Sequence, residues 1–227
     1  MKWDITESME NKSVSEYVYE VIKNNIVSFN VKPGERISEN EISERLDVSR
    51  TPVRETFIKL AQEDLVYVLP QRGTYVSYID LDQVEEARFI RESLEKSVIE
   101  LATQTFSETG IMLLEQNLEK QRNKIKNKAY GGFLELDEEF HRLIFKECKK
   151  ERTWSVIQQV NSQYKRVRVL SFIANINWEQ TIDQHKNIIK AIKNKDNNLA
   201  QKVMKEHLNK LIIEKIELKK QYPEYFK

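Results

Sequence analysis

Few side chains in this 227-residue sequence can ligate a transition metal or move a proton near neutral pH: it has three histidines, His141, His185 and His207, and one cysteine, Cys148. Asp137 precedes His141 by four residues in LDEEFHRLIF, so on a helix both project from one face. His207 follows His185 by 22 residues, and Asp196 stands midway in a turn expected at Asn194–Asn198. If helices flank that turn as an antiparallel pair, equal offsets bring the two imidazoles level. Three imidazoles and a carboxylate then converge inside a bundle, a donor set suited to a divalent ion, Zn²⁺, Ni²⁺, Mn²⁺ or Fe²⁺. Remaining coordination positions would take water or the carboxylate of a small effector. The alternatives are ordinary core or surface histidines, or histidines that bond an organic acid with no metal. A hydrolytic enzyme could use such a site to activate water, but no fourth histidine remains as general base.

A second constellation is SRTPVRE, residues 49–55. With Ser49 or Thr51 as N-cap, Pro52 falls in the first helical turn, where its missing N–H costs nothing. Arg50 and Arg54, four apart, share the exposed amino-terminal end of the helix. Val53, Phe57, Ile58, Leu60 and Ala61 are expected to pack inward. Arginine suits guanine O6 and N7 together, and the start of a second helix is the part of a helix-turn-helix that meets base edges. Arg72-Gly73, at the tip of an expected hairpin, suits a wing in the minor groove, because glycine allows close approach and arginine favours a narrow groove. The expected DNA-binding set is Arg50, Arg54, Thr51, Ser49, Arg72 and Gly73, and the alternative is solvated surface charge.

The surrounding elements must hold these two sets. Apolar positions from Val14 to Ile22 predict a first helix before the break at Pro33-Gly34. Ser38 to Glu41 reads as a capping box opening a helix through Leu46, and a third helix runs from about Ser49 to Gln62. VYVL (66–69) and TYVSY (74–78) predict two short strands. Beyond Ile79 only helices are expected, near 82–105, 109–127, 132–147, 151–173, 178–194 and 197–221, with breakers at Thr109-Gly110, Gly131-Gly132, Asn175 to Trp178 and Asn194 to Asn198. The fold class is therefore mainly α: an N-terminal winged helix-turn-helix of three helices plus a small β-hairpin over residues 1–78, then an all-α helical bundle over residues 79–227.

Composition sets limits on this reading. Only 5 glycines and 4 prolines favour helix over long loops. The single cysteine excludes an intramolecular disulfide and reads as a small buried hydrophobe in a reducing compartment. The sequence begins with no signal peptide and has no 18-residue apolar run, so a cytoplasmic address and no membrane partner are expected. Net charge is only +1, and residues 1–78 hold 10 Lys and Arg against 13 Asp and Glu. Any DNA-binding face must then be a local feature and not a property of the whole domain.

Residues 31–76, VKPGERISENEISERLDVSRTPVRETFIKLAQEDLVYVLPQRGTYV, resemble the GntR family of bacterial transcription regulators. RESLEKSVIELA (91–102), LDEEFHRLIF (136–145) and HKNIIKAIKNKDNNLAQKVMKEHL (185–208) resemble the FCD effector-binding domain of its FadR-type branch. The resemblance implies that Arg50 and Arg54 contact bases or phosphates, that Arg72 and Gly73 form the wing, and that Asp137, His141, His185 and His207 ligate the metal. It matches Arg91 to an effector-facing arginine, where the local alternative is a helix pair with Glu95. Arg166 and Arg168 are either further pocket residues or a solvated face. Three positions depart from the pattern: Asn40 replaces a frequent arginine that contacts DNA and joins the expected DNA-binding set through its capacity to bond a phosphate or adenine, Asp64 replaces a helix-ending glycine, and Gln184 a frequent glutamate. The expectation is a homodimeric regulator, a repressor, on a palindromic double-stranded operator. It would sense a small carboxylate effector beside the metal and Arg91, with coupling through helix 82–105.

Overall fold

The computed structural model describes residues 3–5, 9–126, 131–174 and 178–227. Helix α1, Val14–Val27, starts at a capping box that the sequence reading passed over. The Ser13 side chain accepts from the Glu16 N–H while Glu16 Oε2 accepts from the Ser13 N–H at 2.8 Å. Helix α2, Glu39–Leu46, has only half of its expected box: Ser38 Oγ accepts from Glu41 N–H, but the Glu41 carboxylate pairs with Arg45. Asp47 ends α2 in the left-handed region (φ 52°), a conformation that Asp tolerates better than most residues. Helix α3, Arg50–Gln62, follows an extended Ser49 whose hydroxyl makes no capping bond, contrary to expectation. Pro52 is the third helical residue, inside the first turn. Asp64, where glycine is usual, takes the left-handed conformation (φ 55°) that a helix-ending glycine would supply.

The expected hairpin is part of a three-stranded sheet of order β1-β3-β2, with β1 Arg36–Ile37, β2 Val66–Leu69 and β3 Gly73–Val76. Antiparallel pairing sets Arg36 against Tyr75 and Ile37 against Thr74 on one side of β3, and Tyr67 against Tyr75 on the other. Two residues are too few to show alternation, which is why β1 escaped the sequence reading.

Ten α-helices are present among the described residues, the remaining seven being α4 Leu81–Thr105, α5 Glu108–Lys126, α6 Gly131–Glu147, α7 Glu151–Val160, α8 Ser162–Ile173, α9 Trp178–Lys193 and α10 Asn197–Gln221. The helix expected over 151–173 is two helices interrupted at Asn161. Asn and Ser bond their own backbone and so favour helix ends over interiors; here the Asn161 carbonyl accepts from Lys165 N–H at 2.8 Å as α8 restarts. Asn127, at the expected end of one helix, and residues 175–177 of an expected breaker lie outside the described residues.

The chain forms two compact units. The first comprises Met1–Val84, Val160–Leu170 and Glu217–Lys227; the second, Glu85–Gln159 and Ser171–Ile216. The core of the first joins α1 (Val18, Val21, Ile22) to α3 (Val53, Phe57, Leu60), with Val66 and Val76 of the sheet beneath. Ile58, expected to face inward, is 57% exposed, because it lies off the Val53–Phe57–Leu60 stripe. The outlying segments are bound into this unit by specific contacts. Gln163 Nε2 donates to the Asp64 carbonyl at 2.7 Å, and Ser162 Oγ donates to Glu63 Oε2 at 3.3 Å. Phe29 stacks on Tyr225 with ring centroids 5.2 Å apart, and Ile79 bridges Phe226 through backbone bonds of 2.8 and 3.0 Å. The core of the second unit gathers Ile99, Leu114, Phe140, Ile144, Ile188 and Met204 from its long helices. Cys148 is half-buried against it, and burial pushes its thiol up to about 11, so it is an inert packing residue.

Candidate metal centre and DNA-reading face

Four ligand-type side chains meet inside the second unit. Asp137 and His141 come from one face of α6, His185 from α9 and His207 from α10, and one donor atom of each lies within 4.8 Å of the others. His185 and His207 are level, with ring centroids 4.8 Å apart, as their equal offsets from the turn require. All but His207 are fully sequestered, and His207 is 9% exposed.

Around this set, each imidazole turns Nδ1 outward to an oxygen. His141 Nδ1 lies 2.6 Å from Glu95 Oε2, His185 Nδ1 lies 2.8 Å from Gln121 Oε1, and His207 Nδ1 lies 3.1 Å from Gln184 Oε1. For His185 the proton position follows from the main chain. The Leu136 carbonyl accepts from Asn117 Nδ2 at 3.0 Å, so Asn117 Oδ1 must accept, and it takes Gln121 Nε2 at 2.7 Å. Gln121 Oε1 is therefore an acceptor and His185 Nδ1 carries the hydrogen, which leaves the Nε2 lone pair facing inward. Glu95 is fixed as an anion on the far side of His141. Burial works against its charge, but Arg91 and His141 outweigh that and hold its carboxyl down at about 2.

The inner nitrogens of the three rings and the Asp137 carboxylate then crowd together. His141 Nε2 and His207 Nε2 are 3.1 Å apart, His185 Nε2 is 3.6 Å from Asp137 Oδ1, and His141 Nε2 is 3.8 Å from Asp137 Oδ2. Bonds of about 2.1 Å place neighbouring ligands about 3.0–3.4 Å apart, so these three pairs stand close to the spacing that a divalent first-row ion requires. Orienting each ligand through its second ring nitrogen is the usual arrangement around metal-bound histidine. Glu95, Gln121 and Asn117 were missed as parts of the site. Glu95 was visible only as the i,i+4 neighbour of Arg91, and nothing local in the sequence marks the other two.

Arg91 makes the pair expected from its spacing, with Nε donating to Glu95 Oε1 at 2.7 Å. Its Nη1 is 3.6 Å from Glu138 Oε1 and its guanidinium stands 6.0 Å from the Trp154 ring centre. Arg166, considered for the same pocket, belongs to the first unit instead. There its guanidinium covers Phe29 at 5.6 Å, and burial alone lowers its pKa to about 9. Arg168 is half-buried on the same helix.

The first unit carries the second constellation at its surface. Asn40, Ser49, Arg50, Thr51, Arg54 and Arg72 are all exposed, and Arg50 opens α3. Gly73 sits at φ +113°, and a Cβ there would come 2.8 Å from Arg36 Nε. The glycine thus lets Arg36 lie flat against the wing. Arg36 is a basic residue beside the tip that the sequence reading passed over, because its strand was not recognised.

Comparison with known proteins agrees with both halves. Residues 14–76 match the model of bacterial regulatory proteins of the gntR family, and residues 86–210 match the FCD domain. The HTH-type transcriptional repressor RspR of Escherichia coli K12 is 35% identical over 91% of this chain and 90% of its own. The gluconate operon transcriptional repressor of Bacillus licheniformis is 26% identical over 81% of this chain and 77% of its own. Among solved structures, E. coli McbR/YncC shares the fold with a TM-score of 0.77 at 22% identity, covering 92% of this chain and 99% of that one. No helix among the described residues is long and apolar enough to cross a membrane. The chain therefore belongs to the GntR family with an FCD domain, and it is a DNA-binding transcriptional regulator rather than an enzyme.

Proposed function

We propose that this regulator is a cytoplasmic homodimeric repressor that senses a small carboxylate beside a divalent metal. The metal would be held by Asp137, His141, His185 and His207, where it would act as a Lewis acid toward the effector. Arg91 would supply the complementary cation. The DNA-reading set would be Arg50 and Arg54 on base edges or phosphates, Ser49, Thr51 and Asn40 beside them, and Arg72 and Gly73 in the wing. One copy on each half of a palindromic operator would give the complex two-fold symmetry. The working division of the chain is residues 1–78 for DNA and 79–227 for effector, metal and dimerisation. Effector release of the operator requires unequal affinity for the two states of the protein.

The observation that carries the metal reading is the outward anchoring of all three imidazoles, which aims their inner nitrogens at Asp137. It also separates this reading from direct bonding of an acid by the histidines. An acid bonded directly would need inward N–H donors, whereas the relay from Leu136 places the His185 hydrogen outward. Elemental analysis of protein purified without an affinity tag tests it. The expected result is about one divalent ion per chain, removed by chelation and reduced in His185→Ala. Protein free of stoichiometric metal would overturn the metal reading and leave the histidines to the acid alone. A thermal-shift screen of small carboxylates, with and without metal, then identifies the effector class.

A further inference from the structure

The wing carries a second arginine, placed there by the sheet and not by the turn. Arg72 N–H closes the turn on the Leu69 carbonyl at 3.0 Å, and Gln71 within it takes the left-handed conformation (φ 62°). Gly73 therefore opens β3, the central strand of the order β1-β3-β2. Arg36 belongs to β1, which flanks β3 on the side away from β2, and stands opposite Tyr75. Gly73 and Tyr75 share one face of the sheet, so Arg36 meets Gly73 on the diagonal, within reach of a long side chain. It takes that course: a Cβ on Gly73 would lie 2.8 Å from Arg36 Nε and 3.4 Å from Nη2. The same rung continues to Tyr67, which stacks on Tyr75 with centroids 5.6 Å apart, and Tyr75 Oη donates to the Arg72 carbonyl at 3.3 Å. Arg36 and Arg72 are both exposed, and neither has an ion-pair partner among the described residues.

From this placement we infer that Arg36 is a DNA contact, and that it holds a backbone phosphate on the wall of the groove that the wing enters. The inference rests on the DNA-reading face above and adds to it a residue from outside the recognition helix and the turn. The Arg36 guanidinium is drawn in beside Gly73 and does not extend past the turn, so it lies on the flank of the wing. A wing inserted in a minor groove about 6 Å wide turns its tip to the base edges and its flanks to the phosphates on either side. The fork of Arg36 is taken by no carboxylate, and a planar guanidinium matches two phosphate oxygens at once. Arginine on an edge strand also repels foreign strands. A charge serving only that purpose would extend from the edge into water, whereas Arg36 folds back over the glycine of the wing. The contact is one of position and not of sequence, because phosphates are the same at every base pair.

Fluorescence anisotropy across a salt series tests this with two labelled duplexes, one selected by the wild-type full-length protein from a randomised pool and one unrelated. Arg36→Ala should make the plot of log affinity against log salt shallower by about 0.9 per half-site on both duplexes. At 0.1 M salt that slope corresponds to binding about 8-fold weaker per half-site. Helicity and thermal midpoint should stay at wild-type values. Arg36→Lys should keep the wild-type slope, since lysine still meets a phosphate as a point charge. Arg36→Gln gives the same readout as Arg36→Ala and replaces it if that variant fails to fold. Unchanged affinity and slope in both neutral variants would overturn the inference. Weaker binding at an unchanged slope would also overturn it, and would make Arg36 a support for the wing alone. A loss confined to the selected duplex would overturn the phosphate assignment in favour of base reading. A wild type that selects no sequence, or an Arg50→Ala, Arg54→Ala protein that binds as the wild type does, overturns the DNA-reading face itself.

Discussion

His185 shows how much of the centre is decided away from its ligands. Its spacing from His207 is legible in the sequence, because a helical hairpin converts equal offsets into proximity. The hydrogen on its outer nitrogen is fixed through Gln121 and Asn117 on α5 by the carbonyl of Leu136. No local pattern records that relay, since its members meet only after three helices have packed. Gln121→Leu should therefore lower metal affinity by about 10–100-fold with the fold intact, measured by competition with a chromophoric chelator; unchanged affinity would show that the relay does not orient the ligand. The placement of the α3 arginines was legible for the opposite reason, since the proline and the i,i+4 spacing act within one turn. Replacing Arg50 or Arg54 by Ala should cost about 1–3 kcal/mol on the operator if each reads a base, by fluorescence anisotropy, with a smaller cost on unrelated DNA.

Among the elements, α8 was the one most misjudged. Its separation from α7 depends on Asn161 and Ser162, residues that permit a break without requiring one. Its first turn is then occupied with the end of α3, through Ser162 on Glu63 and Gln163 on the Asp64 carbonyl. Glu63 also binds Lys23 at 2.6 Å and accepts from Tyr19. Burial raises the Glu63 pKa, but the bonds from Lys23, Tyr19 and Ser162 outweigh it, so the net shift is downward. A carboxylate with a depressed folded pKa gives stability that is present above its unfolded value and lost as pH falls through the folded one. Glu63→Gln should accordingly destabilise the protein at pH 7 and flatten the acid side of its stability curve. Urea midpoints from pH 7 down to pH 3 measure this, and a variant that kept the wild-type slope would assign the acid sensitivity elsewhere.

For the molecule as a whole, charge constrains the DNA complex. Residues 1–78 are net acidic, and the cations at the expected face are few: Arg50, Arg54, Arg72 and, beside the wing, Arg36. Few phosphates would then be neutralised, so the logarithm of operator affinity should fall with the logarithm of salt at a slope of about −3 to −4 per half-site. A much steeper slope would mean that residues outside this face touch the backbone. The helical content and the two-part order of the fold were legible from periodicity and caps, but the composition of the first unit was not. Its surfaces at Asp64, Phe29 and Ile79 are completed by Gln163, Tyr225 and Phe226, partners that lie 99 or more residues further along the chain. Synthesis runs from one end, so the DNA-reading unit waits for residues 217–227 to emerge before the last of these contacts can form. Until Ser162 and Gln163 emerge, a nascent chain carries its recognition helix with the far end of that helix unsupported, and the helices of the second unit are already made when the first unit is finished.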